Sequence, residues 1–104
     1  GLSALEVETA LRYHVPVVLV VANNAGPGGA TRQRKVFPAD HPERVLQFVP
    51  GIRHDLMMAS FGGLGLRIDG PGQIGSALSD ALASNGPVCI DVVTNENTGV
   101  SAAI

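Results

Sequence analysis

The chain has 104 residues, 45% of them apolar and 15% charged, with 13 Gly, 7 Pro, one Cys and a net charge of −2. That is one domain's worth of chain, too apolar for disorder, and its charge gives neither nucleic acid nor an anionic membrane a footing. The longest apolar run, residues 15–22, contains Pro16 and falls far short of the roughly 20 residues a membrane-spanning helix needs.

A single Cys allows no disulfide framework and fits a reducing compartment, so a cytoplasmic location is expected. No secretory signal is visible. The chain opens on Gly1 rather than Met, and an N-terminal portion is expected to be missing.

Ser3-Ala4-Leu5-Glu6 has the form of a capping box, a hydroxyl followed three residues later by a Glu. Val7, Ala10, Leu11 and His14 then recur at helical spacing, and Glu8 can pair with Arg12 on the outer face. Pro16 ends that helix. Residues 17–22 are aliphatic and mostly β-branched, which predicts a buried strand. The strand runs into Asn23-Asn24 and a turn of Gly26, Pro27, Gly28 and Gly29. Residues 23–51 show no sustained periodicity and read as one long loop, with the basic run Arg32-Gln33-Arg34-Lys35 inside it. A loop of that length in a compact domain is functional or mobile.

Residues 53–61 predict a short helix with Asp55 near its start, stopped by Gly62-Gly63. Leu64, Leu66 and Ile68 alternate with Gly65, Arg67 and Asp69, as in a strand. Pro71 opens a second helix with Ile74, Ala77, Leu78, Ala81 and Leu82 on one face. Asn85-Gly86 closes it, and residues 87–93 form a last apolar strand. The order α-β-loop-α-β-α-β argues an α/β fold, a Rossmann-like parallel sheet flanked by helices.

In such sheets ligands bind outside the carboxyl ends of the strands, where Asn23, Asn24 and the Gly-rich turn lie. Amide and carbonyl oxygens are hard ligands suited to Mg²⁺, and glycines let backbone approach a phosphate. The same residues also suit an Asx turn that merely ends a strand, and the pattern alone favours that reading.

Gly70, Gly72 and Gly75 spell G-x-G-x-x-G between a strand and a helix. Pro71 fills the turn where a pyrophosphate should sit, and Asp91 falls inside the last strand rather than at its end. A helix opened by Pro is the better account. His14, His41 and His54 are 27 and 13 residues apart, which matches no metal spacing, and His41 is the one retained as a possible site residue. Cys89 reads as an inert core thiol, and Met57, Met58 and Phe61 as helix packing. The run Arg32 to Lys35 suits a solvated loop or the grip on an anionic tail.

The stretch LSALEVETALRYHVPVVLVVANNAG resembles the cofactor-binding domain of thiamine-diphosphate enzymes, in which a helix and a strand lead into Asn-Asn. RHDLMMASFGGLG and GPVCIDVVTNENTGVSAAI resemble the 2-hydroxyacyl-CoA lyase and oxalyl-CoA decarboxylase branch. The resemblance implies that Asn24 gives its side-chain oxygen, and Gly26 its carbonyl, to a Mg²⁺ that holds the cofactor's diphosphate. It also implies that Leu2, Ser3, Pro27 and Gly28 lie along the cofactor, with no catalytic residue in this chain. The cofactor's ylide would attack a carbonyl, and C–C cleavage would release an aldehyde or ketone and formyl-CoA from a 2-hydroxyacyl-CoA. Oxalyl-CoA decarboxylation or an acetolactate-synthase-like carboligation are the alternatives within the family.

The chain departs from the family in lacking Gly-Asp-Gly, and in carrying Pro27-Gly28-Gly29 where a bulky residue and a Tyr are frequent. The pyrimidine-binding domain and its activating Glu are absent too. The chain therefore reads as the C-terminal portion of a thiamine-diphosphate-binding domain, completed by the rest of its polypeptide or by a companion subunit. A homo-oligomer, dimer or tetramer, is expected of the complete enzyme, with an acyl-CoA substrate and neither nucleic acid nor membrane as partner. From other classes, a nucleotide-binding module on Gly70, Gly72 and Gly75, or a non-catalytic α/β interaction module, would also fit the pattern.

Overall fold

The computed structural model describes residues 3–98. In chain order these form α1 (Glu6–Arg12), β1 (Val18–Asn23), α2 (Ala30–Val36), α3 (His54–Ser60), β2 (Leu64–Ile68), a 3₁₀ turn (Pro71–Gln73), α4 (Ile74–Ala83) and β3 (Val88–Val93). The described residues fall into two compact units, one from residues 3–22 and 53–93 and the other from 23–52 and 94–98.

The first unit is built on a three-stranded parallel sheet in the order β1-β3-β2. β3 is central and almost wholly buried, so it carries consecutive apolar residues rather than an alternation. Its side chains still divide by face. Val88 and Ile90 pack with Ile68 and with Ala77 and Ala81 of α4. Cys89 points the other way, to Val7 of α1 and Met58 of α3. Helices thus cover both faces, the Rossmann-like arrangement that the alternation of elements predicts. α3 comes down on β2 at Gly65, where a Cβ would overlap the Asp55 carbonyl. That close approach requires glycine.

Several local expectations need correction. Ser3 does not cap α1 with its hydroxyl; Leu5 precedes the first turn, and Ser3 offers its backbone carbonyl to the Glu6 N–H at 3.0 Å. The helix also ends before His14. That residue takes a left-handed φ of 53°, while its N–H reaches the Leu11 carbonyl at 3.1 Å and the Val15 N–H reaches Ala10 at 2.9 Å. This is a Schellman closure, with His in the position glycine usually takes. The Glu8–Arg12 pair forms as expected, at 2.9 Å.

β1 is an outer strand of the three, not a buried one, and Leu19 and Val20 are 37% and 58% exposed. In α4 the buried residues are Ala77 and Ala81, whereas Leu82 is 78% exposed. The small residues let the helix lie close to the sheet, and that turns the bulkier leucine outward.

The second unit overturns the reading of residues 23–51 as one loop, because α2 runs through the basic segment. Seven residues with five polar or charged side chains at their centre show no period, and buried Ala30 is a weak apolar marker. The following segment is pinned to α2 by Gln33, whose Nε2 donates to the Glu43 carbonyl at 2.8 Å. The same side chain's Oε1 accepts the Leu46 N–H at 2.7 Å. Farther along, the Phe48 N–H reaches the Ala25 carbonyl at 2.9 Å.

Candidate functional site

The loop that leaves β1 begins with two asparagines in different roles. Asn23 is 8% exposed; its Nδ2 donates to the Ile52 carbonyl at 3.2 Å and its Oδ1 accepts the Ala25 N–H at 3.1 Å. Both ends of that amide are used, the second in an Asx turn. Ala25 is held at φ 61°, a left-handed conformation uncommon for alanine. The Thr94 N–H closes the same corner on the Asn23 carbonyl at 3.0 Å.

Asn24 is half-buried and, among the described residues, uses one end of its amide. Its Nδ2 donates to Thr31 Oγ1 at 3.4 Å, and Thr31 Oγ1 in turn donates to the Glu96 carbonyl at 3.3 Å. With the nitrogen anchored to the hydroxyl, the oxygen is the end left for a ligand. Gly26 lies two residues on. A Cβ there would overlap that of Ala30 and stand 2.8 Å from the Leu46 carbonyl. The loop is therefore folded tightly against α2 at a place that admits no side chain, while Gly28 has open space around its Cβ position.

A free amide oxygen beside a side-chain-free backbone fits a hard divalent cation such as Mg²⁺. Neither donor is anionic, and the described residues hold no cluster of His, Cys, Asp or Glu able to bind a metal. A cation held here would take its remaining ligands from phosphate oxygens and from outside this set, as Mg²⁺ commonly does.

The other expected site residues are placed as follows. Leu2 lies outside the described residues. Ser3 belongs to the first unit, where it helps line an apolar cavity of about 200 Å³ with Val7, Val17 and Met58. Pro27 and Gly28 are exposed in the second unit's turn. His41 stacks on Phe37 with ring centroids 4.5 Å apart, and its Nδ1 accepts the Glu43 N–H at 3.2 Å, so it has a structural role.

Gly70, Gly72 and Gly75 form a helix start. Gln73 Oε1 accepts the N–H groups of Asp69 and Gly70 at 3.0 and 3.1 Å, which occupies the donors a phosphate would need. Sequence reasoning missed Thr31, and it named Arg34 only within the basic run Arg32 to Lys35. Their i, i+3 spacing brings both to the Glu96 carbonyl once α2 exists, but no periodicity announces that helix.

The first unit holds a buried ionic network apart from this loop. Asp91, wholly buried, accepts from Arg67 Nη1 at 2.9 Å and from the His54 N–H at 3.1 Å, with His54 Nδ1 at 3.5 Å. Asp55 is gripped by Arg53 through Nε at 2.8 Å and Nη2 at 2.6 Å. Those hydrogen bonds hold its carboxyl below the usual range. Burial, aided by the charges of Asp91 and Asp55, pushes the Cys89 thiol up to about 11, so it is neutral and unreactive at physiological pH.

The structure is thus an α/β domain whose first strand runs into a loop in which the Asn24 amide oxygen accepts no hydrogen bond among the described residues and Gly26 packs against α2. Residues 2–92 match the family described as thiamine pyrophosphate enzyme, C-terminal TPP binding domain. The chain is 35% identical to a 2-hydroxyacyl-CoA lyase of Oryza sativa subsp. japonica, over 98% of this chain and 18% of the relative. It is 31% identical to the oxalyl-CoA decarboxylase of Escherichia coli K12, again over 98% and 18%. A probable acetolactate synthase of Mycobacterium bovis is 31% identical over 91% of this chain and 17% of the relative. This chain belongs to the thiamine pyrophosphate enzymes, as a C-terminal TPP-binding domain. It spans less than a fifth of the length of these relatives.

Proposed function

We propose that the chain is the diphosphate-holding part of a Mg²⁺-dependent thiamine-diphosphate lyase that cleaves 2-hydroxyacyl-CoA to an aldehyde or ketone and formyl-CoA. The observation that carries this reading is the unequal use of the two asparagines. Asn23 spends both ends of its amide on the turn, which leaves Asn24 Oδ1 for a ligand. Asn24 Oδ1 and the Gly26 carbonyl would bind the cation, and the cation would bind the diphosphate. The bound cofactor supplies an electron sink for breaking the C–C bond. This chain's residues bind and orient it, and Thr31 keeps the Asn24 oxygen turned to the ligand.

The acid–base groups and the rest of the cofactor site would come from the remainder of the polypeptide or from a companion subunit, in a dimer or tetramer. The names of the Oryza sativa and Escherichia coli relatives support an acyl-CoA substrate. The single buried Cys suits a reducing cytoplasm.

The test is thermal shift of the complete protein with thiamine diphosphate and Mg²⁺, followed by product analysis with 2-hydroxyacyl-CoA, oxalyl-CoA and pyruvate. A Mg²⁺-dependent shift lost in Asn24→Ala, with formyl-CoA and an aldehyde released, is the expected result. Carbon dioxide from oxalyl-CoA, or acetolactate from pyruvate, would move the chain to the alternative chemistries. No shift in the complete wild-type protein would sink the reading.

A further inference from the structure

Arg34 lies on α2, half-buried, with one corner of its guanidinium tied down. Nη1 donates to the Glu96 carbonyl at 2.6 Å, the same carbonyl that Thr31 reaches. The other two nitrogens, Nε and Nη2, are sealed from solvent and have no hydrogen-bond partner among the described residues. These two carry the parallel N–H groups of the guanidinium's side-on fork, the edge that grips a carboxylate or phosphate bidentately. An arginine does not escape such burial by losing its proton, so an unpaired fork is costly unless an anion completes it.

Its location says which anion. Nη2 is 3.2 Å from the position a Cβ would take at Gly26, so the fork lies against the turn that carries Asn24 and Gly26. Four of the chain's seven basic residues lie at positions 32–44.

The geometry points to Arg34 as an oxyanion-binding residue whose Nε and Nη2 hold phosphate oxygens brought to the 24–29 loop. This rests on the reading of that loop as a metal–diphosphate site, and adds a direct protein cation to it. The phosphate could belong to the cofactor's diphosphate or to an acyl-CoA, and the two sources separate by experiment.

The test measures affinities for thiamine diphosphate, unphosphorylated thiamine, CoA and inorganic pyrophosphate on the chain together with whatever polypeptide completes it. Wild type, Arg34→Gln, Arg34→Lys and Asn24→Ala are compared. Loss of a charge-assisted fork should weaken the phosphate ligand roughly tenfold to a hundredfold in Arg34→Gln, with thiamine unaffected and Arg34→Lys in between. Loss on thiamine diphosphate assigns the cofactor as the source; loss on CoA alone assigns the substrate.

Arg34→Gln gives up the bond to the Glu96 carbonyl together with the two unpaired donors, so the ligand-free variant should melt close to wild type. A merely structural arginine would instead lower the melting temperature and weaken every ligand alike, thiamine included. If Arg34→Gln does not fold, Arg34→Lys carries the comparison. Arg34→Gln binding every phosphate ligand as wild type does, while Asn24→Ala loses thiamine diphosphate, overturns the inference and leaves the functional reading intact. A wild type that takes up no thiamine diphosphate defeats the functional reading instead. Pyrophosphate then decides on Arg34 alone, for it if binding is lost in Arg34→Gln and against it otherwise.

Discussion

Asn23 and Asn24 are neighbours in sequence with divergent duties, the first closing a turn onto the Ala25 N–H at 3.1 Å, the second reaching Thr31 Oγ1 at 3.4 Å. Substitution should separate them. Asn23→Ala removes two hydrogen bonds from a buried site and should cost about 1–3 kcal/mol of stability. Asn24→Ala should stay within about 0.5 kcal/mol of wild type, while Mg²⁺-dependent thiamine diphosphate binding disappears. Urea melts beside ligand titrations read both. Equal destabilisation by the two variants would remove the argument for a reserved Asn24 oxygen.

Gly26 and Gly28 offer a second contrast. Alanine at 26 must push aside the Ala30 methyl or the Leu46 carbonyl, and overpacking of that kind costs about 1–3 kcal/mol. Alanine at 28 meets open space, and its stiffer unfolded chain should make the variant neutral or stabler by up to about 1 kcal/mol. Gly26→Ala should also impair metal-dependent diphosphate binding, because the carbonyl belongs to the residue that is displaced. Parity of the two variants in melting temperature would contradict the close packing of loop and helix.

The periodic elements were legible because burial in the first unit enforces their patterns. Leu64, Leu66 and Ile68 announce β2, and Pro71 marks the start of the turn into α4. The Asn-Asn-x-Gly stretch showed where a ligand could bind, but not how the labour divides between its asparagines. That division depends on the Ile52 carbonyl and on Thr31, both remote in sequence. α2 was hidden for a related reason. Its one wholly buried side chain is Ala30, and what holds it is Gln33 bonding to Glu43 and Leu46, a pattern without a period. The exposure of Leu19 and Val20 was invisible because an outer and a central strand share one composition.

Arg67 and Asp91 sit directly opposite each other in the β2–β3 register, with the carboxylate wholly buried. Arg67→Met strips that carboxylate of a cation and should cost roughly 3 kcal/mol. The double variant Arg67→Met/Asp91→Leu should regain part of the loss, since neither charge of the pair then remains, although the His54 N–H loses its acceptor. Urea unfolding of the four forms in a double-mutant cycle measures the coupling. Strictly additive losses would show that the pair stabilises through packing rather than charge.

Acid should act through Asp55, whose carboxyl lies below the ordinary range because Arg53 donates to both its oxygens. A lowered folded-state pKa means that this contribution is complete above the unfolded value, near 4, and is lost as pH falls through the folded one. Between about pH 7 and 5 the group should leave stability flat, and below about pH 4 it should pull stability down. Arg53→Gln is expected to be less stable than wild type at pH 7, with the gap closing as the pH drops below 4. Since the Arg53 side chain is 40% exposed, added salt should also narrow the gap at pH 7. Denaturant melts from pH 7 to 2.5 at low and high salt would reveal both trends. A gap that stays constant down to pH 2.5 would mean that Arg53 stabilises the fold through its alkyl stem, not through the Asp55 carboxylate.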